Sequence, residues 1–171
     1  VVMEVSSQAP MLHRTAGFVF DYGIFTNLEA DHIGPAEHAS FEEYMACKAM
    51  LFRQCRVGIV NGDDAHVENI VKGHTCELET YGLNEGNMLR AAGIRRVYMP
   101  GALGVDFRTE GLMELDVKVP MPGKFSVYNA LCAISICRHF QVNESVICRA
   151  LLAARVKGRI EKVEVSDKFI V

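Results

Sequence analysis

Three short apolar runs, residues 1–5, 18–25 and 57–60, each stop abruptly in polar residues. Continuous apolarity, rather than alternation, is the pattern of strands covered on both faces, and such strands belong to parallel sheets. The polar ends are Glu4-Val5-Ser6-Ser7 after the first run, Thr26-Asn27 and then Asp31-His32 after the second, and Asn61-Gly62-Asp63-Asp64 after the third. Open parallel sheets bind their ligands beyond the carboxyl ends of the strands, so these groups fall at the edge where a site is expected.

The intervening sequence supplies the helices such a sheet needs. Residues 40–56 read as a helix with Ser40 as N-cap and Glu42 and Glu43 in the first turn, where the helix dipole favours anions. Residues 64–72 read as a second helix that stops at Gly73, followed by a strand near 76–81. Over 95–119 the pattern shortens and alternates around Pro100-Gly101, Gly104 and Gly111, which predicts a small antiparallel addition. Two apolar-striped helices follow over 126–140 and 143–156, and Gly158-Arg159 reads as a hinge into a new strand. The expected fold is α/β: a mostly parallel sheet flanked by helices with an antiparallel β addition. The expected division is 1–157 as one partial domain and 158–171 as the hinge and first strand of another. Because residues 1–5 and 168–171 read as strand interiors, the chain is expected to be part of a longer protein.

Half of the 171 residues are apolar, enough for a substantial core, and 18 basic against 21 acidic residues leave a net charge of −3. With no basic run, nucleic acid is not an expected partner. No apolar stretch approaches the roughly 18 residues of a membrane span, and no charged leader precedes a short apolar segment, so the expectation is a cytoplasmic chain without a membrane partner. The cysteines at 47, 55, 76, 132, 137 and 148 include no C-x-x-C pair and read as reduced core thiols.

Lys48 is the most informative residue. At 100° per residue, Phe41, Met45, Phe52 and Cys55 lie within about 40° of one direction, and Lys48 sits in the middle of that stripe. Either its stem packs on apolar surface while the ammonium reaches water, or it is a functional lysine that is paired, neutral or modified. Glu4 is an acid at a strand tip followed by two hydroxyls, suited to magnesium, a hard ion that prefers oxygen, or to accepting bonds from a helix start. His32 follows Asp31 in a loop running through Gly34-Pro35 to Glu37-His38, with no H-E-x-x-H spacing to support a zinc protease. In Asn61-Gly-Asp-Asp64, Asp63 or Asp64 also reads as a cap for the next helix, and Asn129 as a boundary amide on a helix lined by Ala130, Ala133, Ile134 and Cys137.

Taken in order, Met3-Glu-Val-Ser-Ser-Gln8 with His13-Arg14, Phe25-Thr-Asn-Leu28 with Asp31-His32, Tyr44-Met-Ala-Cys-Lys48, Asn61-Gly-Asp-Asp64, Pro122-Gly123 with Tyr128-Asn-Ala130, and Gly158-Arg159-Ile-Glu161 resemble the central domain of the Mur ligases. The branch they resemble most adds a diamino acid, meso-diaminopimelate or L-lysine, to UDP-N-acetylmuramoyl-L-alanyl-D-glutamate. The resemblance implies a P-loop-like fold and ATP-dependent amide-bond formation through an acyl phosphate in peptidoglycan synthesis. It makes Glu4 a ligand of the magnesium that accompanies ATP. It makes Lys48 a carbamylated lysine, which shares a second magnesium with His32. Ser6 and Arg14 match positions that bind the UDP-N-acetylmuramoyl dipeptide, Asn129 matches a contact to adenine, and Arg159 matches a residue that reaches ATP. Asn27 and Asp63 fall in family motifs without an assigned role, and Pro10 stands where leucine is usual.

One departure carries weight: the chain contains no G-x-x-G-K-[ST], the backbone cradle and lysine that hold ATP phosphates. The family places that loop ahead of the strand bearing Glu4, so these residues alone are expected to be catalytically silent. Other Mur ligases, folylpolyglutamate synthetase and a non-catalytic nucleotide-binding module of the same fold are the alternative readings.

Overall fold

The computed structural model describes residues 1–29, 33–34, 38–99 and 102–156, and it divides into two compact units, residues 1–80 and 81–171. The expected hinge and strand at 158–171, with Arg159, lie outside the described residues.

In the first unit, helix α1 (Gln8–Met11) precedes strand β1 (Phe20–Phe25), helix α2 (Phe41–Ala49), a 3-10 turn (Met50–Arg53), strand β2 (Cys55–Asn61), the short helix α3 (Val67–Ile70) and strand β3 (Glu77–Gly82), which runs across the boundary. Strands β1 and β2 are parallel, with Phe20 opposite Cys55, Tyr22 opposite Val57 and Phe25 opposite Val60. Two parallel neighbours need a crossover, and α2 provides it. Its start follows from the sequence: the Ser40 hydroxyl accepts from Glu43 N at 3.2 Å, and the Glu43 carboxylate accepts from Ala39 N at 2.7 Å.

Phe25, Leu28, Tyr44, Phe52, Cys55, Val60, Ile70 and Cys76 form the core of this unit. Gly58 permits a close approach there: a Cβ would stand 2.8 Å from the Phe52 ring and 2.9 Å from the Leu78 side chain. All six cysteines are free thiols.

Three expectations need correction. Residues 1–5 are not a strand: Val1, Val2 and Met3 are exposed and no described strand pairs with them, since apolar composition makes a buried strand only where a neighbouring ladder accepts its backbone groups. The 40–56 helix ends at Ala49, tightens into the 3-10 turn and gives way to β2 at Cys55, so Cys55 reaches the core from a strand and not from a helical stripe. The helix expected over 64–72 is a turn followed by only one helical turn at Val67–Ile70, because Asp64 holds the preceding backbone in that turn.

In the second unit, the end of β3 pairs in parallel with β4 (Leu89–Met99), matching Tyr81 with Leu89. Strands β4, β5 (Ala102–Gly111) and β6 (Asp116–Val119) continue antiparallel, as the alternating pattern predicts. A register shift between Ala92 and Arg95 accommodates Gly93 at φ +63°. Helices α4 (Lys124–His139) and α5 (Glu144–Ala153) follow, α5 starting at the Asn143 cap, whose side chain accepts from Ser145 N. Val127, Ala130, Leu131 and Ile134 form the buried stripe of α4. The architecture is α/β, with parallel and antiparallel pairing in six strands among the described residues.

Candidate functional site

In the first unit, side-chain hydrogen bonds converge where β1 and β2 end. Asn61, buried at the last position of β2, donates from Nδ2 to the Thr26 carbonyl at 2.9 Å and accepts from Asp63 N at 3.1 Å. Asp64 accepts from Leu28 N at 3.0 Å through one carboxylate oxygen and from His66 N at 2.9 Å through the other. Two side chains of the Asn-Gly-Asp-Asp segment therefore tie the loop after β1 to the end of β2. Neither Asp63 nor Asp64 caps α3, whose N-cap is His66 without a side-chain bond; Asp64 instead holds the turn ahead of it, and its second oxygen adds a cross-strand brace that local sequence cannot reveal.

Helix α2 carries Lys48 in its last turn. Lys48 is half-buried, and its ammonium stands 5.1 Å from the centroid of the Tyr44 ring, one helical turn earlier. The most buried positions of α2 are Tyr44, Cys47 and Ala49, so Lys48 flanks the core face instead of occupying its centre. Burial, then the nearby Glu43 carboxylate, push the Cys47 thiol up from its ordinary range, and helix-start hydrogen bonds from its own backbone amide and Ser40 hold the Glu42 carboxyl down.

The segment bearing Glu4 and Ser6 leads into α1. Glu4 is exposed and has no hydrogen bond or ion pair among the described residues; Ser6 is exposed, and its carbonyl accepts from Ala9 N. Ser7 is buried, and its hydroxyl lies 2.8 Å from Nε2 of His38, a side chain with no exposed surface. Arg14 is exposed beyond α1. His32 lies outside the described residues, and among the described residues no group of three histidine, cysteine or acidic side chains is arranged to hold a metal ion. In the second unit, Asn129 is exposed on α4, off the buried stripe. No described helix is long and apolar enough to cross a membrane.

Ser7 and His38 are the pair that sequence reading passes over. Each appears there as one of many polar loop residues, and only the fold brings them together across 31 positions.

Residues 1–137 match the model of the Mur ligase middle domain. The UDP-N-acetylmuramoyl-L-alanyl-D-glutamate–2,6-diaminopimelate ligase 2 of Clostridium acetobutylicum is 37% identical over 163 residues, covering 95% of this chain and 33% of that protein. The corresponding L-lysine ligase of Streptococcus pneumoniae is 32% identical over 163 residues, 94% of this chain and 32% of that protein. The chain thus spans about a third of the length of these relatives. Among solved structures, a UDP-N-acetylmuramoyl-L-alanyl-D-glutamate–2,6-diaminopimelate ligase superposes with a TM-score of 0.78 at 22% identity, over 95% of this chain and 34% of that one. The D-alanyl-D-alanyl ligase of Acinetobacter baumannii that acts on UDP-N-acetylmuramoylalanyl-D-glutamyl-2,6-diaminopimelate gives 0.67 at 19%, over 86% and 32%. At those identities the superpositions establish the fold, and the match to the family model over most of the sequence establishes the rest: this chain belongs to the Mur ligase family, whose middle domain it carries.

Proposed function

We propose that the chain is the ATP-binding middle domain of a cytoplasmic ligase of peptidoglycan synthesis that joins a diamino acid to UDP-N-acetylmuramoyl-L-alanyl-D-glutamate. The observation that carries this reading is the family match over residues 1–137, together with relatives whose names specify that dipeptide and either 2,6-diaminopimelate or L-lysine. A free carboxylate is a poor acyl donor. Transfer of the γ-phosphoryl group from ATP to a carboxylate oxygen breaks its bond to the β-phosphate oxygen, releases ADP and makes an acyl phosphate; the amine nitrogen then bonds to the carbonyl carbon and gives up a proton, the carbon–oxygen bond to phosphate breaks and phosphate leaves. Alignment and charge neutralisation are the main catalytic demands of such a sequence.

The donor chemistry fits a hard divalent cation, since Glu4 offers an exposed carboxylate with no competing partner among the described residues. Glu4, His32 and a carbamylated Lys48 would hold magnesium. When bound with ATP, the metal supplies neutralisation of phosphate charge. Carbamylation of Lys48 joins its neutral amine to carbon dioxide and converts a cation into an anionic oxygen donor. Ser6 and Arg14 bind the UDP-linked dipeptide, the exposed guanidinium of Arg14 serving as an anion clamp. Asn129 contacts adenine, and Arg159 reaches ATP from the following domain.

Phosphate release by the full-length protein, supplied with ATP, magnesium, the UDP-linked dipeptide and one candidate amine at a time, tests the assignment. Release is expected to need the dipeptide and either diaminopimelate or lysine; release with D-alanyl-D-alanine, with glutamate, or with no acceptor combination would refute it. Lys48→Ala is expected to lose at least about a hundredfold in rate and to recover part of it with a small added carboxylate. Undiminished activity would remove Lys48 from the mechanism.

A further inference from the structure

His38 is an imidazole with no exposed surface, yet among the described residues only one of its ring nitrogens is satisfied. Nε2 shares a 2.8 Å hydrogen bond with the Ser7 hydroxyl, while Nδ1 has no hydrogen-bond partner among the described residues. A carboxylate oxygen of Glu43 stands 4.0 Å from Nδ1 and accepts from Ala39 N. A buried ring nitrogen left without a partner costs stability, so a packing role alone would be filled more cheaply by an apolar side chain. What the imidazole provides that an apolar residue would not is the bond to Ser7.

Ser7 directly follows Ser6 and lies three residues after Glu4, and it begins α1. The four-residue helix has no side-chain cap of its own, and the preceding residues belong to no strand. The bond to His38 is a side-chain tether between this segment and the stretch leading into α2. On its other side the imidazole packs against Tyr44, with ring centroids 5.2 Å apart, and the same Tyr44 ring lies under the Lys48 ammonium. One buried side chain thus touches the anchor of the Glu4–Ser6 segment and the aromatic ring on which Lys48 rests.

We propose that His38 is a positioning residue of the ligase site: through Ser7 it sets the place of Ser6, and through Tyr44 it supports Lys48. This inference rests on the substrate roles given above to Ser6 and Lys48. Its chemistry distinguishes the two ring nitrogens. Glutamine at position 38 carries its amide near the place of Nε2 and can keep the bond to Ser7; asparagine carries its amide near Nδ1 and cannot.

In the full-length protein, His38→Asn and Ser7→Ala are each expected to raise KM for the UDP-linked dipeptide about tenfold while KM for ATP stays within about twofold. His38→Gln is expected to restore most of the loss. Combining Ser7→Ala with His38→Asn should add little to the dipeptide KM defect of His38→Asn alone, because the bond that Ser7→Ala removes is already lost in it. Amide hydrogen exchange gives a readout independent of turnover: the Ala9 and Leu12 amides, which bond to the Ser6 and Gln8 carbonyls, should exchange faster in His38→Asn and Ser7→Ala and recover in His38→Gln. Wild-type KM in Ser7→Ala overturns the proposal, as do equal defects in the glutamine and asparagine variants; if asparagine prevents folding, Ser7→Ala and His38→Gln still decide. Absence of dipeptide-dependent phosphate release by the wild-type protein overturns the ligase reading and this role with it, whereas an active wild type with unselective variants overturns this role alone.

Discussion

Cys55 shows how burial turns an ordinary side chain into a pH-dependent contributor. It opens β2 in the core of the first unit, and desolvation, followed by the neighbouring Cys76, pushes its thiol up to about 12. The folded state therefore holds the proton more tightly than the unfolded chain. The resulting stability is complete below the thiol's ordinary value of 9.0 and is lost as pH rises from there towards about 12. Denaturant midpoints measured across that window should fall more steeply for the wild type than for Cys55→Ala; parallel slopes would contradict the assignment. Residue identity made some roles readable in advance and hid others. Ser40 and Glu43 cap α2 through contacts within four positions, and short spacing is what a sequence exposes. The second oxygen of Asp64 and the Ser7–His38 bond span 36 and 31 positions, and nothing local distinguishes them from solvated loop groups. For Lys48, the helical wheel indicated the middle of the core stripe, but the 3-10 turn after Ala49 breaks that stripe and leaves the residue half-buried at its flank.

At the level of elements, the antiparallel pair β4–β5 depends on one backbone approach. Gly111 pairs with Leu89 at φ +93°, and a Cβ there would run into the Met88 carbonyl oxygen, which accepts from Leu112 N at 2.9 Å. Gly86 has nearly the same conformation, φ +95°, but a Cβ there would meet nothing within 4 Å. Alanine at Gly86 should therefore cost only the conformational strain, about 1–3 kcal/mol, and alanine at Gly111 should cost distinctly more in urea denaturation. Equal losses would mean that the close approach is unimportant. The antiparallel strands and both long helices of the second unit were predictable because alternation and striping are local periodicities. Residues 1–5 were not, since a run of apolar residues specifies a propensity for β structure but not the partner that must supply the ladder.

For the molecule as a whole, charge and exposed apolar surface set the solution behaviour. A net charge of −3 gives little repulsion between copies, while Phe18 and Val19 are 60% and 68% exposed ahead of β1. The 171-residue chain on its own is expected to self-associate, giving a concentration-dependent mass in sedimentation, and Phe18→Glu with Val19→Lys should shift it towards a single small species. An unchanged mass distribution in the double variant would place the sticky surface elsewhere.

The pairing of β3 through β6 also bears on the order of events during synthesis. Each of these strands hydrogen-bonds to the next one translated, so closing their ladders requires only short loops. Strands β1 and β2 must instead await the whole crossover between Phe25 and Cys55 before their first parallel bond can form. Though made after them, strands β4 to β6 have the quicker route to native pairing, and the slow search belongs to the β1–β2 pair translated before them.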